Sequence, residues 1–423
     1  MFSHRTNQPQ VEHLSSTSLQ EAWKDWARSE SIVRYLDILK EKYVSHTKFL
    51  VRTVLGLYIH DAKLACMFHH EPLLRHDSIM VSVAADDNLF NAPNATVWRE
   101  KMLHQTGSRL PVHECLHTNL HDDGSQPLPQ ELSWKNSHFT AYAILHGISA
   151  SISEKQQMSQ IRPASANFAK YFDALICWYH TFEKDTRFSE PKHVSRPDTL
   201  CLLVLWHTVF MSLVTNFNNL ERAIGRNGVT LEADLAYAAS WATSKEAQRC
   251  ILHAHALLYS LGAMRLDAEA AIHIPHCLFL AGIASYCYAR FRRPSSAFQA
   301  QDHTQTPRLF VPESQSPGPM EFPEFTLRGA PIPQHLFGSP AAGSSDTGTS
   351  LAADDASIAF STQEDRTTRF RPTSDVGGTM MCTLIDMLQR IGHWGIARKY
   401  AATLSALVHA DSDEDWKFIM SDC

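Results

Sequence analysis

CLLVLWHTVFMSLVTNFNNLERAIGRNG, residues 201–228, reads as one long helix with two separated faces. Leu202, Trp206, Val209, Phe210, Leu213, Phe217 and Leu220 follow the three-and-four spacing that keeps apolar side chains on one side of a helix of about 3.6 residues per turn. Thr208, Ser212, Thr215, Asn219 and Arg222 fall on the other side. Asp198 and Thr199, behind Pro197, are placed to accept the free amide hydrogens of the first turn. Gly225 or Gly228 supplies the left-handed residue that ends the helix. The stretch therefore predicts a buried core helix, in which Trp206-His207 and Glu221-Arg222 serve as packing and capping groups. A membrane span would need ~20 apolar residues. His207, Thr208, Ser212, Thr215 and Asn216 interrupt the run before that length.

The chain has 423 residues, enough for about two domains of ordinary size. Lysine and arginine number 38 against 44 aspartates and glutamates, a net charge of -6. A nucleic-acid-binding surface shows a basic excess instead, so specific DNA binding by these residues is not expected. The nine cysteines, at 66, 115, 177, 201, 250, 277, 287, 382 and 423, stand singly with no C-x-x-C pair. That usage fits reduced core thiols of the cytosol or nucleus. The opening residues MFSHRTNQPQVEHL hold no apolar run of the secretory kind, and no membrane partner is expected.

Working outward from the central stretch, helical periodicity dominates and no alternating strand pattern bounded by turns stands out, so the expected fold class is all-α. Upstream, Ser18 and Glu21 form an S-x-x-E capping box for a first helix carrying Leu19, Trp23, Trp26 and Glu30. A second helix is predicted over Val51 to Phe68, with Tyr58, Ala62 and Ala65 inward and Pro72 beyond its end. Asp86 to Trp98 reads as a loop feeding a short helix, and the Pro-bounded residues 105–136 as a surface insertion. Helices follow around Phe139 to Ile152 and Ala166 to Phe182.

Downstream, Thr243 and Glu246 make a second capping box for a helix through Cys250, Ile251, Ala254, Leu257 and Leu258 that Gly262 closes. Pro275 suits the first turn of the next helix, whose end Arg290, Arg292, Arg293 and Pro294 mark. Ten of the 20 prolines fall between Pro294 and Pro372, so residues 294–375 are expected to stay disordered. Order returns near Thr379 in a hairpin, residues 376–412. Met381, Leu384, Ile385 and Leu388 line its first arm. Trp394, Ile396, Tyr400, Leu404, Leu407 and Val408 line the second, beyond the turn at Gly392. The hairpin is expected to dock on a main body made by residues 1–293.

His113-Glu114-Cys115-Leu116-His117 is an H-E-x-x-H, which on a helix puts two imidazoles on one face for a zinc ion and poises Glu114 as general base. Asp123 stands where one metallopeptidase class has a third ligand, but Leu120 occupies the glycine position of that class. The motif also lies in the Pro-bounded insertion, whereas zinc ligands need a rigid, well-supported helix. Asp86-Asp87 resembles the magnesium-binding aspartates of all-α terpene cyclases; without a second metal motif downstream, capping the helix before Trp98 is the simpler role. His253, His255, His273 and His276 lack cysteine or carboxylate partners at ligand spacing and read as cap and core residues. G-x-S-x-G, phosphate-cradling and dinucleotide motifs do not occur. No catalytic, cofactor-binding or metal-binding residue is assigned, and the chain is not read as an enzyme.

Six blocks, in order, carry a family resemblance: WKDWARSES (23–31), LGLYIHDAKLACMFHHEP (55–72), DDNLFNAPNATVW (86–98), VLWHTVFMSLVTNFNNLERAIGRNG (204–228), AIHIPHCLFLAGIASYCYARF (271–291) and LQRIGHWGIARKYAATLSALVHAD (388–411). Together they resemble the fungal-specific transcription factor domain, the middle homology region of fungal regulators, in the version attached to C2H2 zinc-finger regulators. The resemblance implies an all-helical regulatory module of a nuclear RNA polymerase II transcription factor. It also implies partners among the transcription machinery or regulatory proteins, including a second copy of the chain. DNA contact and structural zinc belong, in that family, to an N-terminal finger module, and no C-x2-4-C…H-x3-5-H finger occurs in this chain. The region is expected to be N-terminally incomplete relative to the family. Residues 35–52 interrupt its pattern as an apparent insertion, either a retained intron or a helix extension using Leu36, Leu39, Tyr43 and Val44. Two other readings stand beside this one: a zinc metallopeptidase built on His113, Glu114 and His117, and a helical scaffold that binds a partner or a small effector between core helices.

Overall fold

The computed structural model describes residues 15–32, 51–76, 82–104, 112, 115, 137–188, 200–226, 228, 230–262, 270–292, 323–327, 375–391 and 394–409. Among them are thirteen α-helices and no strand, so the fold is all-α. The first six are α1 (Ser16–Ile32), α2 (Val51–Phe68), α3 (Asp87–Phe90), α4 (Ala95–His104), α5 (His138–Gln157) and α6 (Ala166–Phe188). They are followed by α7 (Leu202–Val214), α8 (Phe217–Ala223), α9 (Glu232–Ala242), α10 (Lys245–Gly262) and α11 (Ile274–Phe291). The chain closes with α12 (Asp375–Arg390) and α13 (Gly395–His409).

α7 is the axis of the molecule, in contact with α5, α6, α10 and α11. All of its residues except Ser212 are buried, so it is enclosed on every side rather than split into a dry and a wet face. Its Trp206 donates its indole N–H to the Leu175 carbonyl of α6 at 2.8 Å. Trp178 of α6 in turn donates to the Ala141 carbonyl of α5 at 3.1 Å. Buried Trp N–H groups need such partners, and these two tie three layers together.

The expectation of one continuous helix over 201–228 is corrected. Thr215 leaves the helix in extended backbone, and Asn216 starts α8 as its cap, its side chain accepting the Asn219 amide. Each side of the break carries free groups that burial would make costly. Gln156 of α5 donates to the Ser212 and Thr215 carbonyls. Tyr237 of α9 accepts the Asn216 amide at 2.8 Å, and Trp241 of α9 donates to the Thr215 hydroxyl at 3.1 Å. Both glycines after α8 have positive φ, as expected. At the other end Cys201, in left-handed backbone, occupies the cap position; Asp198 and Thr199 lie outside the described residues.

Several boundaries move for local reasons. α1 is capped by Ser15, whose hydroxyl accepts the Ser18 amide, so the helix starts before the predicted Ser18 box. Thr243 ends α9, its hydroxyl turned back to the Ser240 carbonyl, and Ser244 caps α10 by accepting the Ala247 amide at 3.1 Å. α9 itself has no counterpart in the sequence reading. α2 matches its predicted span, with Tyr58, Ala62 and Ala65 fully buried; Val51 and Arg52, assigned above to an insertion, belong to it. The rest of 35–52 lies outside the described residues.

Val112 and Cys115 are buried in the main core, so these two residues of 105–136 are not surface. Within 294–375, a 3-10 turn at Glu324–Thr326 is ordered: Phe325 lies edge-on to His253 of α10 at 5.1 Å, and Arg249 donates to the Leu327 carbonyl. The remainder of both segments is outside the described residues, apart from Asp375, where α12 begins.

α12 and α13 contact each other and both pack on α11. Met381, Leu384 and Leu388 are buried from one helix, Leu404 and Leu407 from the other. Close approach is set by Gly282 of α11, against which the Leu404 side chain sits where a Cβ would stand. Tyr400 stacks on Phe279 at 4.3 Å. A smaller cluster of Leu19, Leu89, Trp98 and Met102 holds α1, α3 and α4 together.

Adding one methyl at Gly282 overpacks a site that Leu404 fills completely. Gly282→Ala is expected to lower stability by about 1–3 kcal/mol in urea denaturation. Leu404→Ala in the Gly282→Ala background should recover part of that loss if the contact is as described.

A candidate functional site at the break in the central helix

A cavity of about 210 Å³ opens where α2, α5, α7, α8 and α11 meet, beside the Thr215–Asn216 break. One water needs ~10–15 Å³ on this measure, so the space suits several waters or a small organic molecule. Part of its wall is polar because the second face of the 201–228 stretch is turned toward it. Thr208, Ser212, Asn219 and Arg222 all line it. Arg222 is therefore more than a cap. Its guanidinium reaches Asp234 of α9 at 2.9 Å while bordering the cavity.

α2 contributes Lys63, which is only 8% exposed. It lies four residues beyond Ile59 and eight beyond Leu55, on the inward stripe of an otherwise apolar helix. Its ammonium donates to His276 Nδ1 of α11 at 2.7 Å. Burial lowers the Lys63 pKa from 10.5 to about 8, with the neighbouring Cys277 and Cys66 thiols acting weakly the other way. Burial also raises both thiols, so neither provides a negative charge at neutral pH. Lys63 is thus a cation held by a neutral imidazole. Holding an ammonium there disfavours folding, which makes the position a functional-site candidate.

Behind Lys63 stands a set of buried histidines. His273 donates Nε2–H to the Cys201 carbonyl at 3.3 Å, which leaves Nδ1 to accept the Tyr142 hydroxyl at 3.0 Å. Burial lowers the His273 pKa to about 3. His146 lies edge-on to Tyr142 at 4.7 Å and lines the cavity; burial, then the nearby His273 and Lys63, hold it well below the usual imidazole range. Its Nε2 has no hydrogen-bond partner among the described residues. His276, read as a cap or core residue, proves to be a cavity residue, held neutral first by burial and next by Lys63. His253, by contrast, is a core residue. One of His207 and His253 donates Nδ1–H to the other's Nδ1 at 2.9 Å, and Phe210 stacks on His253 at 4.8 Å. His255 is half-buried on the same helix.

The carboxylates nearby are committed elsewhere. Glu221 binds His69 and Arg226, each at 3.1 Å, and Asp234 binds Arg222. Asp86 caps α3 by accepting the Asn88 amide at 2.7 Å, and Asp87 accepts the His138 amide at the start of α5. Asp86 is thus the cap of a helix before Trp98, as expected, while Asp87 takes the first amide of α5, whose own cap is Ser137. Of the H-E-x-x-H stretch only Cys115 is described, and it points into the core; His113, Glu114 and His117 lie outside the described residues, as does Asp123. Among the described residues no group of three His, Cys, Asp or Glu side chains could hold a metal ion, and no helix is long and apolar enough to cross a membrane.

The cavity was foreshadowed by two signals: an Asn-x-x-Asn cap signature at Asn216 inside a helical run, and a lysine on the buried stripe of α2. Family models, curated proteins and solved structures all gave no match to the chain.

Linkage fixes two pH responses. Lys63 titrates near 8 when folded against 10.5 otherwise, so between those values the unfolded chain binds more protons and stability rises with pH. Lys63→Met should remove that rise. It should also make the protein about 1–3 kcal/mol more stable at pH 7, after the lost His276 partner is offset. The buried histidines act in the opposite range. His207 and His273 titrate near 3 when folded against 6.5 otherwise, and His146, His253 and His276 are lowered in the same sense. Stability should fall as pH drops below about 6.5, steeply by pH 4, in thermal melts across that range.

Proposed function

We propose that this chain is the regulatory, non-catalytic module of a fungal RNA polymerase II transcription factor, acting in the nucleus through protein partners. DNA is contacted by a zinc-finger module of the kind that precedes this domain in the family it resembles, and the zinc belongs to that module. The observation that carries the reading is the convergence of the resembling blocks on one cavity. The second block brings Lys63 and Cys66, the fourth Thr208, Ser212, Asn219 and Arg222, the fifth His276, Cys277 and Leu280. The sixth does not reach the wall; its Tyr400 ring lies 6.1 Å from that of His276.

The net charge of -6 supports a role in protein contacts rather than on DNA. The polar cavity supports an effector-responsive module: a ligand that joins α2, α8 and α11 stabilises the folded form by mass action and so reaches the surfaces those helices hold.

Fused to a heterologous DNA-binding module in a fungal host, the chain should change transcription of a reporter several-fold relative to the module alone. The fusion should concentrate in the nucleus. A reporter indifferent to the chain, with the untagged protein excluded from nuclei, would overturn this reading.

A further inference from the structure

We propose that the cavity beside Thr215–Asn216 is a binding site for a small organic anion, with Lys63 and Arg222 as its cationic contacts and the hydroxyls and amides of α5, α7 and α8 around it. The inference rests on the reading of this cavity as the module's effector site.

Among the described residues the wall has a single sign of charge: Lys63 and Arg222 border it, and neither aspartate nor glutamate does. Arg222 shares its charge with Asp234, whereas the direct partner of Lys63 is the neutral imidazole of His276. This buried ammonium, facing a neutral imidazole and two protonated thiols, has no counter-ion among the described residues, and an anion in the cavity supplies one. Desolvation strengthens that attraction, since the lysine is already stripped of water.

Hydrogen-bonding capacity on the wall points the same way. Ser149 and Ser153 bring hydroxyls, and Asn218 and Asn219 bring amides, whereas Thr208 and Ser212 spend their hydroxyl hydrogens on the Val204 and Thr208 carbonyls. His146 Nε2 is a buried nitrogen without a partner, in a residue 2% exposed on the same wall. In a built site such a group receives its partner from the ligand. Leu205, Phe217 and Leu280 offer an apolar patch for a carbon skeleton, so an organic acid or phosphate ester fits this wall better than a bare inorganic ion.

Binding is read by titration calorimetry and by melting temperature at constant ionic strength, with succinate, citrate, glucose 6-phosphate and inorganic phosphate as probes. Glucose and dimethyl succinate serve as uncharged controls. At least one organic anion is expected to raise the melting temperature by several degrees where the uncharged controls do not. Lys63→Met should weaken that binding about tenfold or more. Because this variant is expected to be at least as stable as the parent, its loss of binding is separable from misfolding. Arg222→Gln should weaken binding less, and Lys399→Met, on the exposed side of α13, should leave it unchanged.

Silence from every anion, equal shifts from the uncharged controls, or full binding by Lys63→Met would each overturn the site. Binding by inorganic phosphate alone would overturn the organic skeleton. If an anion binds as described but the reporter ignores the chain, the transcription reading fails and the site stands. A reporter that responds while no anion binds gives the reverse.

Discussion

A helix enclosed on all sides cannot end without consequence. α7 is buried nearly throughout, so the carbonyls of its last turn and the amides that begin α8 are released inside the protein, where an unpaired polar group costs about 1–3 kcal/mol. Gln156 and Tyr237 meet those groups from two other helices, and Trp241 beside Tyr237 holds the Thr215 hydroxyl. Satisfying the break therefore specifies how α5 and α9 sit against α7, and with them the rest of the bundle. It also explains where the cavity lies, because Gln156, Ser212, Asn216 and Phe217, the residues around the break, are among its walls.

The electrostatic layout follows from that geometry. Glu221 on α8 is drawn to His69 and Arg226, and Arg222 beside it is drawn to Asp234 on α9. Each of these pairs joins neighbouring segments, and among the described residues no carboxylate is left for Lys63. Two unit charges 4 Å apart interact by about 4 kcal/mol at an effective dielectric constant of about 20, so one misplaced carboxylate would neutralise the lysine. A buried ammonium beside a neutral imidazole is a cost that packing alone does not explain.

The all-α class and most helix positions were legible because burial follows periodicity. α2 is the clearest case: Tyr58, Ala62 and Ala65 face inward as spacing predicts. The same periodicity concealed the site. Thr208, Ser212 and Arg222 form a polar stripe, and a stripe says that a face is polar without saying whether water or a cavity meets it. The break at Thr215 carries neither glycine nor proline, and what holds it comes from distant parts of the chain, Gln156 and Trp241. α9 escaped notice because EADLAYAASWA is rich in small alanines and carries no strong apolar stripe, leaving only Asp234, Ala238, Trp241 and Ala242 buried. Competing serines moved the caps: Ser15 displaced Ser18, and Ser244 displaced Thr243.

The C-terminal hairpin is tied to the cavity through one helix. α11 turns His276, Cys277 and Leu280 toward the cavity, and Phe279 and Gly282 toward α13. His276 belongs to both environments, bonded to Lys63 through Nδ1 and close to the Tyr400 ring. A change in the charge or position of Lys63 alters the hydrogen bond that orients this imidazole. The imidazole is buried and cannot relax into solvent, so the adjustment falls on its packed neighbours, Tyr400 among them. Events in the cavity and the seating of the hairpin are for that reason linked by contact through His276, over the width of a single helix.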